Sequence, residues 1–258
     1  MLLLKLFPSL YYWRIWGALG LHDILMRYRG SALGPFWITI STAVSVLSMG
    51  FLYGALFKIQ RGTYLPYFAT GMIAWNFISM IILESARIFI DAKPYLENFS
   101  LPSVLQLYRL VFRNLLVLLH TLPVYAVVAL VYHMNPLYYC LMLPLPLLIL
   151  TLNALFYSTA LAFLSARYPD VGAIISSVLQ VAFFITPVMW TPELLPEKYQ
   201  GFLYVNPLYY AIELLRKPLL GISFGRQDLM GIFFFSLLGI LLFSWVVKKF
   251  EHKVIFWI

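Results

Sequence analysis

The sequence predicts an all-α membrane protein. Six transmembrane helices are preceded by an amphipathic helix at the membrane surface and interrupted, between the fifth and sixth, by a long outer segment. Three observations carry this. Of 258 residues, 62% are hydrophobic and 11% charged, with a mean hydropathy of +0.87, whereas a soluble domain is about half apolar and about a quarter charged. A chain of this length has no means of hiding so much apolar surface from water, so a bilayer is its solvent. Charge-free apolar runs of membrane-spanning length recur along it. The basic residues fall unevenly on the two sides that those runs define.

The elements follow in order. Residues 10–30, within an N-terminal region of 1–30, are long enough for a helix. They mix Arg14, His22, Asp23, Arg27 and Arg29 with Trp13, Trp16, Leu19 and Leu25, which suits a helix lying in the cytoplasmic interface. Spans are expected at about 37–57, 65–90, 110–132, 140–164, 171–190 and 229–247. Their uncharged runs are 19 residues or longer, enough to cross roughly 30 Å of hydrocarbon as a helix. Residues 91–109, with Pro94 and Pro102, form a polar cytoplasmic loop in which KPYLENFSLPS is compact enough for a short helix or turn. Residues 193–228 form the outer segment. Its uncharged run, 199–212, is 14 residues long and is closed by Glu213, Arg216 and Lys217. That is too short to cross, so it reads as interfacial or re-entrant. The whole chain, 1–258, reads as one transmembrane domain.

With the N-terminus inside, 12 of the 18 Lys and Arg residues face the cytoplasm, and four of the other six lie in the long outer segment, where charge bias is weak. Both termini are therefore expected to be cytoplasmic. Lys5, Pro8 and Arg14 cut the first apolar stretch, which does not read as a secretory signal. The string NPLYY occurs at 135–139 and again at 206–210. The flanking sequences differ, so this is one local problem solved twice, not a duplicated domain: Asn-Pro starts a turn, and Tyr suits the water–lipid boundary.

Composition and motifs exclude several functions. The net charge of +8 belongs to cytoplasmic flanks and does not call for nucleic acid. One cysteine, Cys140, permits no internal disulfide and no cysteine-based zinc site. No lysine follows a glycine, so there is no Walker A loop, and neither HExxH nor GxSxG occurs. The chain is expected to bind no cofactor of its own. An intramembrane enzyme acting on lipid-linked sugars would have to draw on Glu84, Asp91, Glu97 and Asp170 on the cytoplasmic side, without a clustered His. A secondary carrier would want midplane charges and an inverted repeat. Glu84 and Arg87 share a helix face near the cytoplasmic end of the second span and read as a snorkelling pair that ends it, or as a functional site. Ser41, Ser45 and Ser48 line one face of the first span beside a Gly50/Gly54 GxxxG, and Ser176, Ser177, Gln180, Phe183, Phe184 and Trp190 mark the fifth. Both sets suit helix packing as well as a path for sugars, which offer hydroxyls and apolar C–H patches.

RYRGSALGPFW (27–37) is an elbow from the interface helix into the first span, with Gly30 and Gly34 freeing the backbone and Pro35 at the first turn. Together with ARYPDVG (166–172), ITPVMW (185–190) and NPLYYAIELLR (206–216), it resembles the ABC-2 type permeases, especially those exporting bacterial surface polysaccharides. The motifs occur in the same order over nearly the whole chain. Pro169 replaces a frequent Arg and Thr186 a frequent Ser. The resemblance implies a dimer of this chain in the bacterial cytoplasmic membrane, working with two copies of a separate ATPase that holds the ATP and Mg. The cargo would be a lipid-linked glycan, O-antigen first, with teichoic acid, capsule precursor or a small molecule as alternatives. It implies a conduit along Ser41, Ser45, Ser48, Tyr53, Ser177, Gln180, Phe183, Phe184 and Trp190. ATPase coupling would run through Lys93, Tyr95, Glu97, Asn98, Phe99, Arg167 and Asp170. A gate would be formed by Trp13, Trp16, Arg27, Arg29, Gly34 and Pro35. Short re-entrant outer helices would place Tyr209, Tyr210, Glu213 and Arg216 at the exit.

Overall fold

The computed structural model describes residues 10–98 and 102–258, and every regular element among them is helical. Helix α1, Trp13–Arg27, is followed by the elbow, where Gly30 and Gly34 take φ of 81° and 54°. These left-handed conformations favour glycine. Pro35 stands as the N-cap of α2, Phe36–Leu56, one position ahead of the first helical turn in which the sequence places it. Then come α3 (Arg61–Ser85), the short α4 (Ile88–Asp91) and α5 (Lys93–Asn98), α6 (Val104–Val131), the short α7 (Pro136–Leu141), α8 (Pro144–Arg167) and α9 (Val171–Ile185). The segment between α9 and α12 holds a 3-10 turn at Pro192–Leu194, α10 (Glu197–Val205) and α11 (Pro207–Leu220), and α12 (Arg226–Phe250) leads to a last 3-10 turn, Glu251–Phe256.

Five helices are long and apolar enough to cross a membrane, namely α2, α3, α6, α8 and α12. The fifth expected crossing differs. Helix α9 has 15 residues, about 22 Å against roughly 30 Å of hydrocarbon. It stops because Thr186 precedes Pro187 and adopts φ −87°, ψ 137°, the extended region to which a residue before proline is driven. Residues 186–190 continue without helix. At the other boundary, α6 starts at Val104, six residues ahead of the expected span. It takes in Arg109, so the polar loop expected at 91–109 is shorter than the sequence implies.

Helix α3 is the hub, packing against α2, α6, α8, α9 and α11. In its apolar window 61% of residues are buried, against 22% in α2. Helix α2 therefore sits at the edge and shows most of its circumference to something outside the chain. Its buried stripe is Ile38, Thr42, Val46, Gly50 and Gly54. The two glycines let α3 come close: a Cβ at Gly54 would stand 3.1 Å from Tyr64 Cδ1, and one at Gly50 would collide with Leu65.

The two NPLYY copies are the same device. Each Asn caps a helix whose first residue is the following Pro: Asn135 Oδ1 accepts from the Tyr138 amide at 3.2 Å, and Asn206 Oδ1 from the Leu208 amide at 3.0 Å. The two helices they start, α7 and α11, pack against each other, with the Tyr139 ring filling the space beside Gly221. Gly221 closes α11 in the left-handed conformation, φ 70°.

Candidate functional site

Three regions hold the residues that the sequence singles out. The first is the end of the bundle where α3 stops and α6 starts, and where α1 docks. Trp16 stacks on Tyr108 at 5.9 Å and meets Phe112 edge-on at 5.3 Å. Behind this contact lies a ladder of alternating charges. Asp23 bridges Arg109 (2.5 and 2.8 Å) and Arg113 (2.8 Å). Arg113 reaches Glu84 (2.7 Å), which also takes Arg27 (2.8 Å) and the Asn114 amide (2.7 Å). Three arginines and two carboxylates from three helices are thereby joined in one chain of charge-assisted hydrogen bonds. Arg87, the expected partner of Glu84, lies instead 4.0 Å from Asp91 on the exposed side.

Burial pushes the Asp23 carboxyl up, but Arg109 and Arg113 outweigh burial and hold it below the usual carboxylate range. A carboxyl depressed in the folded state stabilises fully above its unfolded pKa of about 3.9 and loses that contribution as pH falls through the folded value. The docking of α1 is therefore expected to be insensitive to pH between 5 and 8 and to weaken only in acid below about pH 4. Thermal unfolding of the wild type followed against pH checks this. An Asp23→Asn protein should start less stable and show less of the acid-side loss.

The segment after α3 continues this face. Lys93 and Glu97 pair at 3.7 Å on α5, Asn98 donates to the Pro94 carbonyl at 2.8 Å, and the Arg109 guanidinium lies 5.3 Å from the centre of the Tyr95 ring. Lys93 also donates to the Ile258 carbonyl at 3.0 Å, joining the segment to the far end of the chain. Phe99 lies outside the described residues. Arg167 and Asp170 are exposed at the α8–α9 turn, where Asp170 stands at the N-cap of α9. Trp13 and Arg29 are exposed, Arg14 lying over the Trp13 ring at 5.6 Å.

The second region is at the opposite end of α3, where residues 186–190 meet α11. Arg216 is 1% exposed. Its guanidinium donates to Glu213 (2.7 Å), to the Tyr67 hydroxyl (2.9 Å) and to the Pro187 carbonyl (2.7 Å), and lies over the Tyr67 ring at 4.0 Å. The Tyr67 hydroxyl is 3.2 and 3.1 Å from the carbonyls of Pro187 and Trp190, and Tyr64 donates to the Met189 carbonyl. Asn206 donates to Thr186 Oγ1 at 2.9 Å. Non-helical backbone inside a bundle must have its polar groups satisfied by protein, and α3 and α11 supply that here. Gly71 makes room: a Cβ there would lie 2.9 Å from the Val188 carbonyl and would strike the Arg216 guanidinium. Tyr209, Tyr210 and Glu213 are buried in the same helix. The outer set of the sequence thus forms a packed clasp. Tyr64, Tyr67 and Thr186, absent from the sequence-derived set, belong to it.

The third region is formed by the open faces of α2 and α9. Ser41, Ser48, Ser177, Gln180 and Phe184 are exposed, and Ser45, Tyr53, Phe183 and Trp190 are half-buried. The serines do not pack helices together. Ser41 donates to the Ile38 carbonyl (3.1 Å), Ser45 to Ser41 (2.9 Å), and Ser176 and Ser177 both to Ala173 (2.8 and 3.1 Å). With its proton used internally, each hydroxyl keeps its acceptor lone pairs facing outward. Phe183 packs on Trp75 at 5.2 Å, and the Trp190 indole donates to the Phe184 carbonyl at 2.9 Å.

An O-antigen export system permease protein RfbA of Klebsiella pneumoniae is 24% identical over 188 residues, 72% of each chain. A second protein of that name and organism is 22% identical over 236 residues, 89% of this chain and 91% of its own. One from Myxococcus xanthus is 25% identical over 169 residues, 65% of each. Residues 16–220 match the family described as ABC-2 type transporter, from the docked interface helix to the end of the clasp helix. The chain belongs to the ABC-2 type transporter family.

Proposed function

We propose that this chain is the membrane-spanning subunit of an ATP-driven exporter that moves a lipid-linked polysaccharide, O-antigen first among the candidates, across the bacterial cytoplasmic membrane. The observation that carries the reading is the pairing of two open helix faces with relatives named for O-antigen export. The α2 and α9 faces offer hydroxyl acceptors and aromatic rings without a charge, which suits a neutral sugar chain that must slide without being held. Two copies of the chain, each contributing these faces, enclose a conduit that one copy leaves open.

The energy comes from a partner ATPase holding ATP and Mg, two copies per exporter, which pushes on α4, α5 and the Arg167–Asp170 turn. The charge ladder passes that push to α1 and the elbow. The buried clasp sets the outer end, with α9 and the 186–190 stretch together making the fifth crossing, and α10 and α11 dipping in from outside. Glu84 is committed to two arginines and an asparagine, and Asp91 and Glu97 to neighbouring cations. Such pairing argues against acid–base chemistry at these carboxylates.

Both termini are cytoplasmic on this reading, and α7 is outside. Cys140, the one cysteine, gives a direct check. In intact cells a membrane-impermeant maleimide should label Cys140 without permeabilisation, whereas labelling only after lysis would invert the topology. The function itself is tested by deleting the gene in its host. Undecorated lipid-linked glycan should accumulate inside and return to the surface when the gene is restored; unchanged surface glycan would remove the proposal.

A further inference from the structure

Away from the open faces of α2 and α9, a cavity of about 810 Å³ lies between α3, α8 and α12, capped by the first turn of α11. Its wall is apolar over most of its length. Along α8 it runs from Arg167 to Leu150, about 25 Å at 1.5 Å per residue. That is deeper than half of a hydrocarbon core of roughly 30 Å. The cytoplasmic end is different in kind. Arg167 and Lys253 stand at the mouth with Trp245 and Trp257. The Arg167 guanidinium lies 5.4 Å from the Trp257 ring and 5.9 Å from Tyr168. Among the described residues neither cation has a carboxylate within ion-pair distance.

We propose that this groove is a binding site for one anionic phospholipid. Its phosphate sits between Arg167 and Lys253, its glycerol edge lies against Trp245 and Trp257, and an acyl chain runs up the groove beside Ala154. Shape and chemistry favour a lipid over a helix of another protein: an apolar wall with two cations at one end matches an amphiphile with a single anionic head. Charge decides against a zwitterionic lipid. Two unpaired cations at the headgroup level attract a net negative phosphate, each worth about fivefold in affinity, or about 1 kcal/mol. The aromatic rings at the mouth match the amphipathic headgroup boundary. The assignment to the inner leaflet rests on the orientation given under Proposed function, but the choice of an anionic headgroup does not.

The test places the full-length chain in phosphatidylcholine nanodiscs containing increasing fractions of phosphatidylglycerol brominated on its acyl chains, and reads tryptophan fluorescence. Saturable quenching at low fractions is expected. The saturable part should disappear when Trp245 and Trp257 are replaced by Phe, and brominated phosphatidylcholine should reproduce only the unsaturable part. Arg167→Gln and Lys253→Gln should each shift half-saturation about fivefold, and Ala154→Phe, which fills the groove without touching charge, should abolish saturation. Equal quenching by the two brominated lipids, or an unshifted curve in the charge variants, would overturn the proposal. So would displacement of the brominated lipid by a polyprenyl monophosphate at lower fractions than by unlabelled phosphatidylglycerol, since the occupant would then be the isoprenoid carrier. This readout needs neither ATPase nor glycan, so it fails or stands apart from the export function.

Discussion

Arg216→Gln is expected to abolish export and to lower stability more than any other single change on the outer side. The guanidinium is 1% exposed and holds Glu213, Tyr67 and the Pro187 carbonyl at once. Removing one partner of a buried ion pair costs about 3–5 kcal/mol, because the other charge stays behind uncompensated. Here the loss also leaves a carbonyl of the unwound 186–190 stretch without its donor. The effect should appear as loss of thermal stability of the detergent-purified chain and as protease cleavage between α9 and α11. Two controls separate the buried charge from general damage. In Glu213→Gln/Arg216→Gln both charges are gone, and part of the stability should return. Gly71→Ala leaves every partner in place but pushes a methyl into the guanidinium, and should reproduce a milder form of the same defect. If the double variant were as unstable as Arg216→Gln alone, the stranded carboxylate would not be the cause.

Glu84→Gln is the second large effect, and the sequence alone would have set it beside the wrong partner. Glu84 joins Arg27 of the interface helix to Arg113 and Asn114 of α6. Without its charge, Arg27 and Arg113 lose a shared carboxylate, and α1 keeps Asp23, the Trp16 contacts and the buried Gly20 and Ile24. Hydrogen bonds to charged groups contribute about 1.5–3 kcal/mol each, and the ladder is only partly exposed. Hydrogen exchange across residues 13–27 should therefore rise by at least tenfold, with export falling in step. Arg87→Gln should change little, because its 4.0 Å pair with Asp91 is on the surface and such pairs contribute little. The reverse order of effects would mean that the snorkelling pair read from spacing, not the ladder, is what matters.

Much of the fold is legible because the bilayer imposes it. Apolar run length places α2, α3, α8 and α12 within a few residues, and RYRGSALGPFW gives the elbow with its two glycines. What escapes is what depends on the third dimension. Asp23, Arg109 and Arg113 are scattered over 90 residues. Only the i,i+4 spacing of the two arginines, facing an acid at the end of a neighbouring span, hints that they meet. The shortness of α9 was written in Thr186-Pro187, since a residue before proline leaves the helical region; hydropathy alone carried the run on to residue 190. The run 199–212, interrupted by Asn206-Pro207, reads as one short stretch. The structure makes two helices of it and buries the second. Its Glu213 and Arg216, which close the run in the sequence, are paired inside the bundle.

The most direct test is reconstitution. Proteoliposomes carrying this chain and its proposed partner ABC ATPase should move a lipid-linked glycan to the opposite leaflet only when ATP and Mg are present. Liposomes with the chain alone should hydrolyse no ATP and move none. Glycolipid crossing at the same rate without ATPase or nucleotide would contradict the account, because the chain would then be a carrier in its own right.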